Sequence, residues 1–194
     1  MKILVTGGAG YIGSAAVQAL LSEGHSAVVV DNLSKGLRKL VGVEAKFYKG
    51  DLVDLVFLKK VFRENKIEAV MHFASYKAAG ESMVKVAKYS NNIVGLVNLL
   101  NCMSEFKVRK MIFSSSAAVY GVPQEDPITE EHSLNPINYY GFTKLEGERI
   151  LEWYSQLKGI KYVSLRYFNV AGDCGLKYID PEAQNIFPVI MEVL

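Results

Sequence analysis

The sequence predicts an α/β protein with a doubly wound parallel sheet, and three observations lead there. Short apolar runs rich in β-branched residues alternate with segments of helical period over most of the chain. The first run ends in a glycine-rich turn that opens a helical segment, and the second ends in an aspartate.

The first strand is expected at residues 3–6, where "ILVT" stops at a pair of glycines. A helical pattern follows over 11–22, and the β-branched run "AVVVD" predicts the second strand at 27–31. The third strand, at 46–49, is short and aromatic, and "LVFLKKVFREN" gives a helix at 55–65. Further strands are expected at 69–73, 110–114 and 162–166, with helical patterns at 93–105 and 139–157. In the last helix Leu145, Ile150, Leu151, Tyr154 and Leu157 form one stripe. All the strands are short and mostly apolar, as strands covered on both faces are. Residues 122–138 carry Pro123, Pro127 and Pro136 among acidic side chains and read as a long loop, the kind that often serves as a lid.

A chain of 194 residues, half of them apolar, is long enough for one well-packed domain. Its 22 basic and 20 acidic side chains leave a net charge of +2. Without a run of like charges, this balance argues against a nucleic-acid surface and for a small ligand. Cys102 and Cys174 lack the spacing of a disulfide framework or a metal site, so no metal is expected and a reducing cytoplasm fits. No stretch approaches ~18 apolar residues, so neither a signal peptide nor a membrane span is read.

The turn "VTGGAGYIG" fits two templates: Gly8, Gly10 and Gly13 match G-x-G-x-x-G, while Gly7, Gly10 and Gly13 match G-x-x-G-x-x-G. Either lets backbone N–H groups approach a pyrophosphate at a helix N-terminus. Asp31, at the end of the second strand, supplies the acid that a dinucleotide site requires. A carboxylate there accepts hydrogen bonds from the adenosine ribose and repels a 2′-phosphate, which favours NAD over NADP, with Lys35 and Arg38 nearby as the opposing signal. Asp51 follows the third strand, where it would reach the adenine edge or cap the next helix.

Tyr140 and Lys144 are one turn apart on the helix expected at 139–157. A phenol titrates near about 10 and needs a nearby positive charge to act as a base at neutral pH. The lysine ammonium and an oxidised nicotinamide ring would supply that field. Ser116, just past the fifth strand, sits at the carboxyl edge where ligands bind in such sheets, placed to share the substrate proton with Tyr140. Singly, the three suit a turn, partial burial and a surface charge; beside a dinucleotide turn they read as a proton-handling centre. His25, His72 and His132 read as structural.

The stretches "VTGGAGYIGS", "DNLS", "GDL", "HFAS", "KAAGES", "FSSSAAVYG", "YYGFTK" and "LRYFNVAG" resemble the extended short-chain dehydrogenase/reductase superfamily, and within it the UDP-glucose 4-epimerase family. The resemblance covers nearly the whole chain and implies a Rossmann domain over 1–171, with 172–194 beginning a truncated substrate domain. It implies that Gly7, Gly10, Tyr11, Ile12, Gly13, Asp31, Asn32, Asp51, Leu52, Phe73, Ala74, Lys77, Asn91, Ser114, Tyr140, Lys144 and Phe168 contact NAD. Ser116, Tyr140, Lys77, Asn169 and Asn185 would contact a UDP-sugar. The catalytic set would be Ser116, Tyr140 and Lys144.

Related dehydratases carry an acidic pair directly after the position of Ser116, and decarboxylases keep a glutamate at the second place. Here those places are Ala117 and Ala118, which leaves oxidation and reduction at one carbon. The family mechanism would have Tyr140 take the sugar 4-hydroxyl proton as C4 gives hydride to NAD, and the same hydride return to the other face. Two further readings stand beside a UDP-glucose/UDP-galactose 4-epimerase: an NAD-binding module without turnover, and an epimerase of another UDP-hexose or N-acetylhexosamine. Ser75 and Tyr76 depart from the family's smaller residues before Lys77. The resemblance also implies a homodimer through the helices expected at 93–105 and 139–157.

Overall fold

The computed structural model describes residues 1–172 and 174–176. Strands β1 (Lys2–Thr6), β2 (Ser26–Asp31), β3 (Lys46–Lys49), β4 (Ala69–His72), β5 (Lys110–Ser114) and β6 (Lys161–Leu165) form one sheet in the order β3-β2-β1-β4-β5-β6. Every neighbouring pair is parallel. The helices are α1 (Tyr11–Ser22), α2 (Leu55–Glu64), the short α3 (Ala79–Ser82), α4 (Val86–Glu105) and α5 (Tyr139–Lys158). This is the expected doubly wound Rossmann arrangement. The strand order reverses between β1 and β4, which opens a crevice beyond their carboxyl ends.

Alternation along the central strands β1, β2 and β4 explains why their sequences are mostly apolar on both faces. Leu4, Val28, Val30 and Val70 face a core built with Leu58, Val61 and Phe62 of α2, Leu96, Leu99, Leu100 and Met103 of α4, and Leu151 of α5. Ile3, Val5, Ala27 and Val29 face the opposite side, covered by Val17, Leu20 and Leu21 of α1. With both faces buried, neither set of positions can be polar.

Helix ends follow local chemistry. The Asp54 carboxylate caps α2 by accepting the Phe57 N–H at 2.9 Å, so the cap falls to Asp54 and not to Asp51. Asn138 caps α5 through the Gly141 N–H at 2.8 Å, and Gly159 ends that helix in the left-handed region at φ 66°. Helix α4 begins at Val86, well before the expected start at residue 93. Its first turns, "VAKYSNN", are too polar to show a helical period. They are anchored by the fully buried Tyr89, whose hydroxyl donates to Glu81 at 3.0 Å. Strand β4 stops at His72 because the Phe73 and Ala74 N–H groups both turn back to the Thr6 carbonyl, at 2.9 and 3.1 Å. Residues 122–138 contain no helix or strand, as expected. No helix among the described residues is long and apolar enough to cross a membrane.

Candidate active site at the carboxyl edge of the sheet

The glycine turn forms because β1 must hand the chain to α1 within four residues while passing β4. Gly7 adopts φ 73°, and a Cβ there would lie 2.5 Å from the Ala74 nitrogen. A Cβ at Gly13 would lie 2.1 Å from the Gly7 carbonyl oxygen, whereas one at Gly8 would meet only the side chains of Val29 and Val17. The backbone constraint therefore selects the Gly7, Gly10, Gly13 template over the one starting at Gly8. Gly7 and Gly10 line an open cleft, and Gly10 presents the N-terminus of α1 to it.

Asp31 is buried beneath this turn. One carboxylate oxygen accepts the Ala9 N–H at 3.0 Å and the other accepts the Leu33 N–H at 2.8 Å, so the same acid shapes the turn and the loop after β2. Asn32 donates to Asp51 at 2.8 Å, and Asp51 also accepts the Val53 N–H at 3.0 Å. The cleft is lined by nine of the residues expected at a cofactor: Gly7, Gly10, Asp31, Asn32, Asp51, Leu52, Phe73, Ala74 and Asn91. Gly13 lies buried under the turn, and Tyr11 and Ile12 sit half-buried on the first turn of α1. Lys77 is exposed in the loop after β4. Phe168 is 66% exposed and Asn169 is exposed past β6, and neither is among the residues lining the cleft. Asn185 lies outside the described residues.

Beyond the cleft, at the end of β5, the structure brings together the three residues expected to handle a proton. The Ser116 hydroxyl is near enough to the Tyr140 phenol to lower its pKa, and the serine oxygen accepts the Ala118 N–H at 3.2 Å. The Lys144 ammonium, fully buried, donates to the Ser114 carbonyl at 2.7 Å and lies 5.7 Å from the centre of the Tyr140 ring. Burial pushes the Lys144 pKa down to about 7. Burial pushes Tyr140 above its ordinary value, the Ser116 hydrogen bond pulls it back, and the neighbouring Tyr167 raises it further. The lysine alone does not make the phenol acidic: its hydrogen bond goes to a backbone carbonyl, and desolvation of the phenol is the larger effect.

The sequence reading left His72 unconnected to this centre. In the structure His72 is buried between Thr6, whose hydroxyl lies 2.6 Å from its Nδ1, and Phe113, on whose ring it stacks at 5.8 Å. Burial first, and the Lys144 charge second, push its pKa down to about 3, so it is neutral at ordinary pH. It lines the cleft and so joins the glycine turn to the lysine. Two asparagines of α4 were also missed. Asn92 accepts the Tyr76 N–H at 3.0 Å and donates to the Tyr76 carbonyl at 3.1 Å, while Asn98 donates to the Leu52 and Val53 carbonyls at 3.1 and 3.0 Å. One helix thus splints both loops that border the cleft. For Asn92 the signal was the polar first half of α4, which shows no helical period; Asn98 lies within the expected helix, and its role depends on the packing of the loop after β3. Tyr76, the departure from the family pattern, lines the cleft and is held by Asn92, by Lys88 at 4.6 Å over its ring, and by contact with the Tyr89 ring.

A model of the NAD dependent epimerase/dehydratase family matches residues 3–192. A UDP-glucose 4-epimerase of Lactobacillus helveticus is 53% identical over 173 residues, which are 89% of this chain and 52% of that protein. Among solved structures, the UDP-glucose 4-epimerase of Brucella ovis in complex with NAD superposes with a TM-score of 0.85 at 43% identity, over 88% of this chain and 53% of that one. The Bifidobacterium longum UDP-glucose 4-epimerase in complex with NAD+ and UDP gives 0.87 at 40% identity, over 94% of this chain and 58% of that one. The chain spans about half the length of the curated relatives it matches. The glycine turn, the acid beneath it and the serine, tyrosine and lysine at the sheet edge all fall within the matched span, and the chain belongs to the NAD dependent epimerase/dehydratase family.

Proposed function

We propose that this chain is the cofactor-binding and proton-handling part of an NAD-dependent UDP-hexose 4-epimerase acting on UDP-glucose and UDP-galactose. The observation that carries the reading is the grouping of Ser116, Tyr140 and the buried Lys144 at the end of β5, with the Lys144 ammonium 5.7 Å from the Tyr140 ring centre, beside a cleft floored by a glycine turn. The fit to a dinucleotide rests on Gly7, where any Cβ would strike the backbone of Ala74 and fill the cradle, and on the buried Asp31. Gly7, Gly10, Tyr11, Ile12 and Gly13 would hold the pyrophosphate, Asp31 and Asn32 the adenosine ribose, and Asp51 and Leu52 the adenine. Phe73, Ala74, Lys77, Asn91, Ser114, Tyr140, Lys144 and Phe168 would border the nicotinamide half. NAD, when bound, supplies the acceptor and later the donor of a hydride.

Each residue then has a defined task. Tyr140 takes the substrate 4-hydroxyl proton and gives it back, with its phenol oriented by Ser116. Lys144, lowered to about 7 by burial, is about half charged at neutral pH, so the positive charge it lends the phenol fades as pH rises through that range, and it lies off the proton's path. Ala117 and Ala118 offer no acid for elimination, and the carboxylate that does approach the serine run, Glu148, is taken by Ser115 and Arg166. Lys77, Ser116, Tyr140, Asn169 and Asn185 would touch the UDP-sugar. Residues 1–171 form the nucleotide-binding unit in this reading, with 172–194 opening a substrate-binding one. The reaction is tested by incubating the protein with UDP-galactose and following UDP-glucose, together with mass spectrometry for co-purifying nicotinamide cofactor. Bound cofactor with no conversion would favour a non-catalytic module; conversion only of N-acetylated sugars would move the substrate.

Pairing of two copies through α4 and α5 is part of the same reading. These helices leave Val86, Val94, Phe142, Trp153 and Leu157 between 40% and 70% exposed, more apolar surface than water favours. Sedimentation equilibrium is expected to show a dimer that Trp153→Glu dissociates, and a monomer for the unaltered chain at micromolar concentration would dismiss it.

A further inference from the structure

Three consecutive serines meet α5 at one-turn intervals. The Ser116 hydroxyl neighbours the Tyr140 phenol, the Ser114 carbonyl accepts from Lys144 at 2.7 Å, and the Ser115 hydroxyl donates to Glu148. Positions 140, 144 and 148 are successive i, i+4 neighbours on one helix face. The approach is close because Gly147 intervenes: a Cβ there would lie 2.7 Å from the Phe113 ring. Ser115 is fully buried and Glu148 is 9% exposed.

Glu148 is paired with Arg166, whose Nε donates to one carboxylate oxygen at 3.0 Å and whose Nη2 donates to the other at 2.6 Å. Arg166 also donates to the Tyr120 hydroxyl at 3.2 Å and to the Glu130 carbonyl at 3.3 Å, which ties in the start and the middle of the segment between the serines and α5. Tyr167, the next residue, bonds the Ser114 hydroxyl, and its carbonyl accepts the Ala117 N–H at 3.1 Å. The serine run is therefore held from α5 on one side and from the end of β6 on the other.

We propose that Ser115 and Glu148, backed by Arg166, are positioning residues that set the register of the serine run on α5 and thereby the placement of Ser116 against Tyr140. A contact needed only for cohesion between strand and helix would be made as well by apolar side chains, because a buried ion pair recovers little beyond its own desolvation. A one-residue slip of the run, by contrast, would turn Ser116 away from the phenol, and a charged pair with fixed geometry resists that slip. The inference rests on the reading of Tyr140 as the group that handles the substrate proton.

The test uses the chain labelled with 3-fluorotyrosine, with the Tyr140 fluorine resonance assigned by its loss in Tyr140→Phe. Ser115→Ala is expected to raise the titration midpoint of Tyr140 by about one pH unit, a tenfold loss of acidity, because the Ser116 hydrogen bond that lowers it is loosened. Glu148→Ala should do the same. Glu148→Gln, which still accepts from Ser115, should restore most of the original value. NAD affinity should stay within about twofold in all three variants, since none of these side chains lines the cleft. A Tyr140 midpoint unmoved in Ser115→Ala, even with lowered thermal stability, would overturn the proposal. Failure of the cofactor reading would show separately, as absent NAD binding in the unaltered chain.

Discussion

Gly13→Ala is expected to cost about 2 to 3 kcal/mol of stability and to weaken NAD binding roughly tenfold or more. The added methyl would lie 2.1 Å from the Gly7 carbonyl oxygen, 2.8 Å from the carbonyl carbon and 2.9 Å from the Gly8 Cα. All three are backbone atoms, so no rotamer change relieves the clash. Gly7 cannot retreat, because its N–H is bonded to the Val30 carbonyl at 2.8 Å and any outward shift brings it toward Ala74. The strain must pass into the turn that lines the cleft, which couples stability to ligand affinity. Urea denaturation and NAD titration on the same variant check both halves. A destabilised variant that still bound NAD at full strength would remove the turn from the binding site.

The second large effect is chemical. Tyr140→Phe is expected to lower epimerisation by about 10² to 10⁴-fold while leaving NAD affinity and stability close to those of the unaltered protein. The hydroxyl is the only group removed. Its partner Ser116 stays hydrogen-bonded through the Ala118 N–H, and the backbone of residue 140 stays fixed by the Ser82 hydroxyl, which accepts the Tyr140 N–H at 3.0 Å. Turnover assays beside cofactor titration separate the two outcomes. Equal turnover in the variant would mean that another group carries the proton.

Much of the fold was legible because its signals are local. The runs at β3 and β5 and the helices at α1 and α5 start where apolar period and glycine or asparagine punctuation place them. The misses have a common cause. The first half of α4 is polar on most sides because it faces the cleft and the loop after β4, so hydrophobic period could not reveal it or Asn92; Asn98 lies within the expected helix, but its grip on Leu52 and Val53 depends on how the loop after β3 packs. His72 was read as structural, and its burial agrees; its proximity to Lys144 depends on β4 and β5 being sheet neighbours.

By itself the sequence determined the doubly wound class, the glycine turn with its answering acid, and the Ser116, Tyr140 and Lys144 set, because each is written in residue type and short-range spacing. Only the tertiary structure decided which glycine triplet is constrained, since that depends on how near Ala74 and the Gly7 carbonyl come to a side chain that is not there. It also decided that Lys144 spends its hydrogen bond on Ser114, and that Glu148 and Arg166 grip the middle serine. Those facts depend on distances between segments remote in the chain, which packing fixes and spacing along the sequence does not encode.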